Sequence, residues 1–430
     1  VTLGLWVLAG VFLLAAGMGA PMGLAMLAAG FAYLAATHQD LGLVVDQTMN
    51  GLYNNYLLLA VPLFIFVANL MNASGVLERL LAFAQAMVGR FRGGLAHVNI
   101  VTNLIFSGMS GSAVADAAGP GLIVARMMTR DKRYPPGFAA ATSAVAATLG
   151  PLVPPSIPMI FYALIANASV GALFLAGTVP AFGTAAALMG TIAVIARRRG
   201  FPAEEPPPWG DVLPIFIRAL PPLALPGILL GIIYSGIASP TEAAAVAAAY
   251  AVLLALIYRS LTFAAFAEVL SETVRQTAAI GLIMAGAFVF NYAVANENVP
   301  QLLRNTLVSW HLAPVAFLLC VNVLLFLLAI VIDEITILLV IVPLLVPVAD
   351  ALHIDLVHFG VVVMLNMMIG LALPPHGLLL FVISNLTGTS LAHIFREVPV
   401  FILTMIAVLL VVTLVPETVL WLPRLAGFVK

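Results

Sequence analysis

Two stretches of this chain interrupt apolar sequence in the same way, 220 residues apart. The first reads Thr148-Leu149-Gly150-Pro151-Leu152-Val153-Pro154-Pro155-Ser156, the second Met368-Ile369-Gly370-Leu371-Ala372-Leu373-Pro374-Pro375-His376. In each, a glycine stands four residues before a proline pair, and an apolar run follows, at 160–165 and 379–383. A double proline removes backbone donors and leaves carbonyls without helical partners. Lipid cannot satisfy such groups, so the break must be buried in protein or line a watery cavity. Matched breaks in two halves of a membrane protein point to the binding site of a secondary transporter.

Composition supports that setting. Hydrophobic residues make up 63% of the 430-residue chain and charged residues 8%, with mean hydropathy +1.15. A soluble domain of this size does not look like that, so an all-α polytopic membrane protein embedded in a lipid bilayer is predicted. The apolar runs are continuous rather than alternating, which argues against a transmembrane β-barrel. Cys320, the one cysteine, excludes an internal disulfide and a cysteine-rich metal site. Residues 2–18 lack a basic leader and a cleavage site, so they read as a span rather than a signal peptide. No soluble domain is expected. The longest polar stretch, 197–211, carries Arg197-Arg198-Arg199 and Pro206-Pro207-Pro208 and reads as a loop between halves.

The repeat extends beyond the prolines. Val76-Leu77-Glu78-Arg79-Leu80 lines up with Val299-Pro300-Gln301-Leu302-Leu303, and Gly137-Phe138 lies near the position matching His358-Phe359. The order of elements carries the comparison more than local identity. It divides the chain into N-terminal spans (1–56), a first unit (57–200), a connecting loop with middle spans (201–279), a second unit (280–420) and a tail (421–430). Each unit is expected to hold a span, an amphipathic surface helix, a re-entrant hairpin, a broken span and a closing span. The first hairpin is placed at 97–129, turning at Ser107-Gly108-Met109-Ser110-Gly111-Ser112. The second is placed at 314–350, turning near Asp333-Glu334. The arms of the first are too short to cross about 30 Å of hydrocarbon comfortably.

In this layout Arg79, Arg90, Arg92, Arg126, Arg130, Lys132, Arg133, Arg197, Arg198, Arg199, Arg218, Arg259, Arg275 and Arg396 fall on one side, and Arg304, Arg424 and Lys430 on the other. The bias assigns the first side to the cytoplasm. The two hairpins then enter from opposite sides, which makes the repeat inverted and implies alternating access. The basic residues follow this membrane-side rule and form no nucleic-acid patch.

Several groups could carry chemistry. The turn Ser107–Ser112, ahead of a helix start at Ala113, offers hydroxyls, free carbonyls and a positive helix end at membrane depth. Hard cations prefer oxygen ligands, and a carboxylate suits a helix N-terminus. A cation site shared by this turn and the break at Gly150–Ser156 is one reading; close packing of small residues is the other. Asp116, Asp333 and Glu334 are carboxylates within apolar sequence, where acids face a cavity, an ion or a partner. Asp333, at the second tip, is the stronger candidate; a helix cap or an arginine pair accounts equally well for Asp116. His376 is open to three roles: binding a substrate carboxylate, carrying a coupling proton, or hydrogen-bonding a freed carbonyl. Asn385, Thr387 and Thr389 could add ligands or merely end a helix. His353, Asp355 and His358 have a metal-like spacing, but the layout puts them in a solvated external loop. No zinc-protease histidine pair, P-loop or nucleophile elbow is present.

With these residues in hand, the chain resembles the large membrane subunit of tripartite ATP-independent periplasmic (TRAP) transporters, the DctM-like family, over nearly its whole length. The resemblance rests on Arg92-Gly93-Gly94-Leu95-Ala96-His97-Val98-Asn99, on Ser107–Asp116, on Pro151-Leu152-Val153-Pro154-Pro155-Ser156-Ile157-Pro158 and on Ser239-Pro240-Thr241-Glu242-Ala243-Ala244-Ala245. It implies no enzyme but a sodium-coupled importer of small carboxylates in the bacterial inner membrane, with an elevator-type transport domain moving against a scaffold. It implies two partners, a small four-helix membrane subunit and a periplasmic solute-binding protein, and no cofactor beyond sodium ions. Carried onto this sequence, the cation ligands are Ser107, Ser110, Ser112, Gly150, Pro154, Asp333, Gly370 and Pro374. From the residues themselves, apart from the resemblance, substrate is expected at Ser110, Pro155, Ser156, His376 and Asn385, and coupling at Asp116, Glu334 and His376.

This chain departs from the family pattern at the second break, where Thr-Pro-Pro-Val-Gly-Leu-Asn is replaced by Leu373-Pro374-Pro375-His376-Gly377-Leu378-Leu379. At the second tip, Asp-Pro is replaced by Asp333-Glu334. The second cation site is therefore expected to differ in ligands, stoichiometry or proton dependence. Three other functions compete. An ion-coupled anion transporter without a binding protein shares the hairpin-and-break logic. A channel or scaffold subunit needs a continuous polar pore, and an intramembrane aspartyl protease needs sequence contexts that Asp116 and Asp333 lack.

Overall fold

The structure is a computed structural model that describes residues 2–205, 207–310 and 312–429. Pro206 and Lys430 lie outside the described residues. All the regular secondary structure among those described is helical, with no strand. In chain order the helices are α1 (Leu3–Gly17), α2 (Met22–Ala36), α3 (Leu43–Tyr53), α4 (Ala60–Ala73), α5 (Val76–Val88), α6 (Gly94–Ser110), α7 (Ala113–Asp116), α8 (Leu122–Thr129), α9 (Pro136–Ala147), α10 (Ile157–Ala166) and α11 (Val170–Arg199). There follow α12 (Trp209–Tyr234), α13 (Pro240–Ile257), α14 (Phe263–Asn296), α15 (Val299–Ser309), α16 (Pro314–Leu328), α17 (Glu334–Thr336), α18 (Val342–Ala351), α19 (Leu356–Leu371), α20 (Leu378–Thr387), α21 (Leu391–Leu414) and α22 (Glu417–Leu425).

Among the described residues, seven helices are long and apolar enough to cross a membrane. Residues 2–18, expected to span, form a helix of only 15 residues, about 22 Å at the α-helical rise.

The same order of elements occurs twice, α4 to α11 and α14 to α21. In both units a residue with left-handed φ, Gly75 (66°) or Asn298 (54°), turns the chain into the amphipathic helix α5 or α15. A helix pair follows in both, α6 with α7–α8 and α16 with α17–α18. Each second arm contains one wide π turn, Ala117–Gly121 or Ile337–Ile341. Pro120 lies inside the first and Pro343 just beyond the second, and a proline withholds the donor that a regular turn would use.

Helix packing sorts the chain. α1 and α2 lie on α14, and α13 lies on α4. The approach of α2 to α14 requires glycine: a Cβ on Gly286 would come within 2.4 Å of the Gly23 carbonyl oxygen, and close backbone approach is what holds helices together where lipid competes for apolar surface. A second group interlocks the two units, with α9 on α21 and α20, and α11 on α19. Phe138 of α9 sits between the Phe201 ring (4.9 Å) and the Phe401 ring of α21 (6.1 Å). The Tyr162 hydroxyl of α10 donates to the Leu356 carbonyl, 2.6 Å, at the head of α19. The helix breaks of both units lie inside this interlocked group.

Candidate functional site

The first tip is built by two caps. Gly111 takes a left-handed φ of 59° and its N–H bonds to the Ser107 carbonyl at 3.1 Å, ending α6. Ser112 is extended and its hydroxyl accepts from the Ala115 N–H at 3.4 Å, starting α7. Asp116, fully buried, accepts hydrogen bonds from the hydroxyls of Ser107 and Ser110, which are also fully buried. It neither caps its helix nor pairs with an arginine among the described residues, so both bland readings of this aspartate give way to a cluster of buried oxygens.

The first break packs onto that tip. The chain leaves α9 at Ala147, passes a cis Pro154–Pro155 bond and restarts at Ser156, whose hydroxyl accepts from Met159 N–H at 3.2 Å and donates to the Pro151 carbonyl. The Ile157 N–H reaches the Gly111 carbonyl at 3.4 Å. Among the described residues the carbonyls of Pro154 and Pro155 accept no hydrogen bond, as expected where proline removes the donors. Ser107, Ser110, Gly150, Pro154, Pro155 and Ser156 are all buried and lie at this one junction, while Ser112 is half-exposed at its edge.

The second tip and break repeat the arrangement with different chemistry. Asp333 caps α17, accepting from the Thr336 N–H (3.0 Å) and hydroxyl (2.6 Å). Pro374–Pro375 is again cis, and the Gly377 N–H bonds to the Leu373 carbonyl at 2.7 Å, but α20 has no side-chain cap. Asp333, Glu334, Gly370 and His376 line one cavity of about 330 Å³. Pro374 is half-buried beside it, and His376 is exposed, 6.4 Å ring to ring from Phe381, with no hydrogen bond among the described residues. Asn385 is exposed on α20 and lines neither this cavity nor the next. Thr387 bonds back to the Ile383 carbonyl and to Thr389, ending its helix.

A cavity of about 360 Å³ lies where the two units meet. The first tip (Gly111–Val114), the first break (Pro151, Ile157, Pro158), the second tip (Glu334, Ile335) and α14 (Glu272, Gln276) enclose it. Glu334 lines both cavities and has no ion-pair or hydrogen-bond partner among the described residues. Glu272 is engaged by Gln276 (3.0 Å) and Arg275 (3.4 Å). No Lys, Arg or His lines the 360 Å³ cavity.

Two polar networks were not anticipated from the sequence. In the first unit Asn99 donates to Ser143 (2.6 Å) and accepts from Asn103 (2.8 Å). In the second, Asn366 donates to Asn322 (2.8 Å), which donates to Thr413 (2.9 Å). Each ties the first arm of a helix pair to the helix that breaks. The signal was there, asparagines in apolar helices, but a single asparagine does not name its partner. One expectation is corrected: His358 is not in a solvated loop. It lies on α19, 2% exposed, with Nε2 2.8 Å from the Val412 carbonyl, while Asp355 caps that helix through the N–H groups of Val357 and His358.

Two tips and two breaks around two adjoining cavities that share Glu334, in a bundle with membrane-length helices, define a membrane transport protein. The chain belongs to the DctM family: the profile described as "Tripartite ATP-independent periplasmic transporter, DctM component" matches residues 8–418. It is 40% identical over 408 residues, covering 95% of both chains, to the sialic acid TRAP transporter large permease protein SiaM of Vibrio cholerae. It is 38% identical over 374 residues, 87% of both, to the C4-dicarboxylate TRAP transporter large permease protein DctM of Pseudomonas aeruginosa. Among solved structures it is similar to the YdaH transporter of Alcanivorax borkumensis, with TM-score 0.55 and 16% identity over 86% of each chain, a likeness of fold. The chain is thus a large TRAP permease, a multi-pass membrane protein and not an enzyme.

Proposed function

We propose that this permease imports a small carboxylate across the bacterial inner membrane by sodium-coupled alternating access. Substrate is delivered by a periplasmic binding protein, and a small membrane subunit completes the carrier. Sialic acid and C4-dicarboxylates, named for its relatives, set the substrate class. The observation that carries the coupling is the acidic lining of the central cavity, where Glu334 has no partner among the described residues, Glu272 is paired with Arg275, and no basic residue lines the space. A carboxylate entering it meets like charge, a cost of roughly 3 kcal/mol for charges about 5 Å apart at an effective dielectric near 20. Co-bound cations remove that cost and make uptake of the anion depend on the cation.

The oxygens for those cations are at hand. Ser107, Ser110, Asp116 and the backbone near Gly150 and Pro154 form one group; Asp333, Glu334, Gly370 and Pro374 surround the other. Ser112 and Gln276 border the space left for substrate, with Pro155 and Ser156 buried behind it and His376 in the adjoining cavity. With α6–α11 and α16–α21 moving as a body against α1–α4 and α12–α14, the cavity would face each side in turn, as an elevator requires. Residues 57–200 and 280–420 are then the two inverted units, their helix pairs entering the membrane from opposite sides.

Alternating exposure of Ser112→Cys in a Cys320→Ala background tests this reading. Membrane-impermeant thiol reagents should reach it from the periplasm in one set of sodium and substrate conditions and from the cytoplasm in another. Reaction from one side under every condition contradicts it and favours a channel or scaffold.

A further inference from the structure

We propose that the groove between α11 and α21 is a binding site for the phosphate of an anionic phospholipid. The groove has a volume of about 590 Å³, and its mouth carries Arg198 and Arg199 from α11 with Arg396 and Glu397 from α21. Glu397 is engaged by Arg199 at 2.8 Å, a pair that ties the ends of the two helices together. Below it, the hydroxyls of Thr191 and Thr404 meet at 2.7 Å. Arg198 and Arg396 have no acidic partner among the described residues, so three guanidiniums face one carboxylate.

Arginine presents a planar fork of donors that matches a phosphate. Here the two uncommitted forks come from different helices and open onto one cavity, whereas the membrane-side rule asks only for basic residues in loops. The wall beneath is apolar, and Val194 and Val400 stand 50% and 48% exposed on it. α11 and α21 are both of membrane-crossing length, which places arginines at their shared end at headgroup depth with the valines beneath, against acyl chain. Basic pockets between spans on the cytoplasmic side are where anionic headgroups bind. On the other flank of α11 a cavity of about 670 Å³ adds Arg90, Arg92 and Arg197 and no acid, so the local field is positive on both sides. A free phosphate has no use for the apolar wall, and for that reason the lipid is the assigned ligand. Since α11 closes the first unit and α21 the second, the bound lipid clamps the two units together.

The test is binding to the purified full chain in detergent, read by thermal shift and saturation, with dioleoyl phosphatidylglycerol, dioleoyl phosphatidylcholine or inorganic phosphate. Phosphatidylglycerol should bind saturably and phosphatidylcholine should not. The Arg198→Gln/Arg396→Gln variant should bind phosphatidylglycerol about 30-fold more weakly, at about 1 kcal/mol per arginine. The double lysine variant should stay within a few-fold of the parent. Both arginines are exposed, and Arg259→Gln, outside the groove, controls for loss of charge. Equal response to the two lipids, or an unchanged affinity in the double glutamine variant, overturns the proposal. So does inorganic phosphate binding as tightly as phosphatidylglycerol, which would make it a free-anion site. Loss of the small membrane subunit from the variant with lipid binding intact would assign the groove to a protein partner instead.

Discussion

Gly150 of the first break and Asp116 beside the first tip are in contact: a Cβ on Gly150 would stand 3.0 Å from Oδ2 of Asp116 and 2.8 Å from the Ala113 backbone nitrogen. Neither neighbour can yield, one being backbone and the other held by two serine hydroxyls. Gly150→Ala should therefore lower stability by about 1–3 kcal/mol and reduce uptake at least tenfold, checked by thermal unfolding and by transport in vesicles. Unchanged values for both would show that the break and the tip are not held together.

Asp116 organises the same junction from the other side. Asp116→Asn keeps its shape but turns one acceptor into a donor against Ser107 or Ser110. Leaving a buried hydroxyl unmatched costs about 1–3 kcal/mol. The sodium concentration for half-maximal uptake should rise at least tenfold, and Ser110→Ala added to Asp116→Asn should cost less than the sum of the two singles.

Glu334 faces both cavities without a partner. Glu334→Gln should weaken sodium dependence and relax discrimination against dianionic relative to monoanionic substrates, since it removes like charge from the 360 Å³ cavity. His376→Val should change the substrate or sodium concentration for half-maximal uptake at least threefold, because His376 lines the 330 Å³ cavity with Asp333 and Glu334. Ordinary sodium dependence and unchanged half-maximal concentrations in both variants would mean that the second unit works as in the common family pattern despite its different residues.

Within the spans, Asn99→Ala and Asn366→Ala each remove a buried interhelical hydrogen bond. Such bonds contribute roughly 0.6–1.7 kcal/mol in a membrane bundle. A fall in melting temperature is expected in both, with transport reduced less than by Gly150→Ala. Transport loss exceeding that of Gly150→Ala would make the asparagines part of the site rather than its support.

Glycine and proline made the breaks and tips readable, because they act on their own backbone. Gly150, Pro154–Pro155 and Gly370 could be found without knowing what packs on them. What they pack on was not readable. Nothing local says that Gly111 lies against Pro155, that Asn366 meets Asn322 across two helices, or that His358 points inward to the Val412 carbonyl. Those pairings come from helix packing between distant segments. Asp116 illustrates the boundary: its burial was foreseeable from the apolar sequence, yet its partners, six and nine residues away, depended on how Gly111 turned the chain.

The most direct test of cation-coupled import is solute uptake into proteoliposomes containing this chain, its small subunit and the cognate binding protein, under inward, absent and outward sodium gradients. We expect accumulation above the external concentration only with the inward gradient and the binding protein. Equilibration without accumulation, or uptake indifferent to the direction of the sodium gradient, would contradict sodium-coupled carriage.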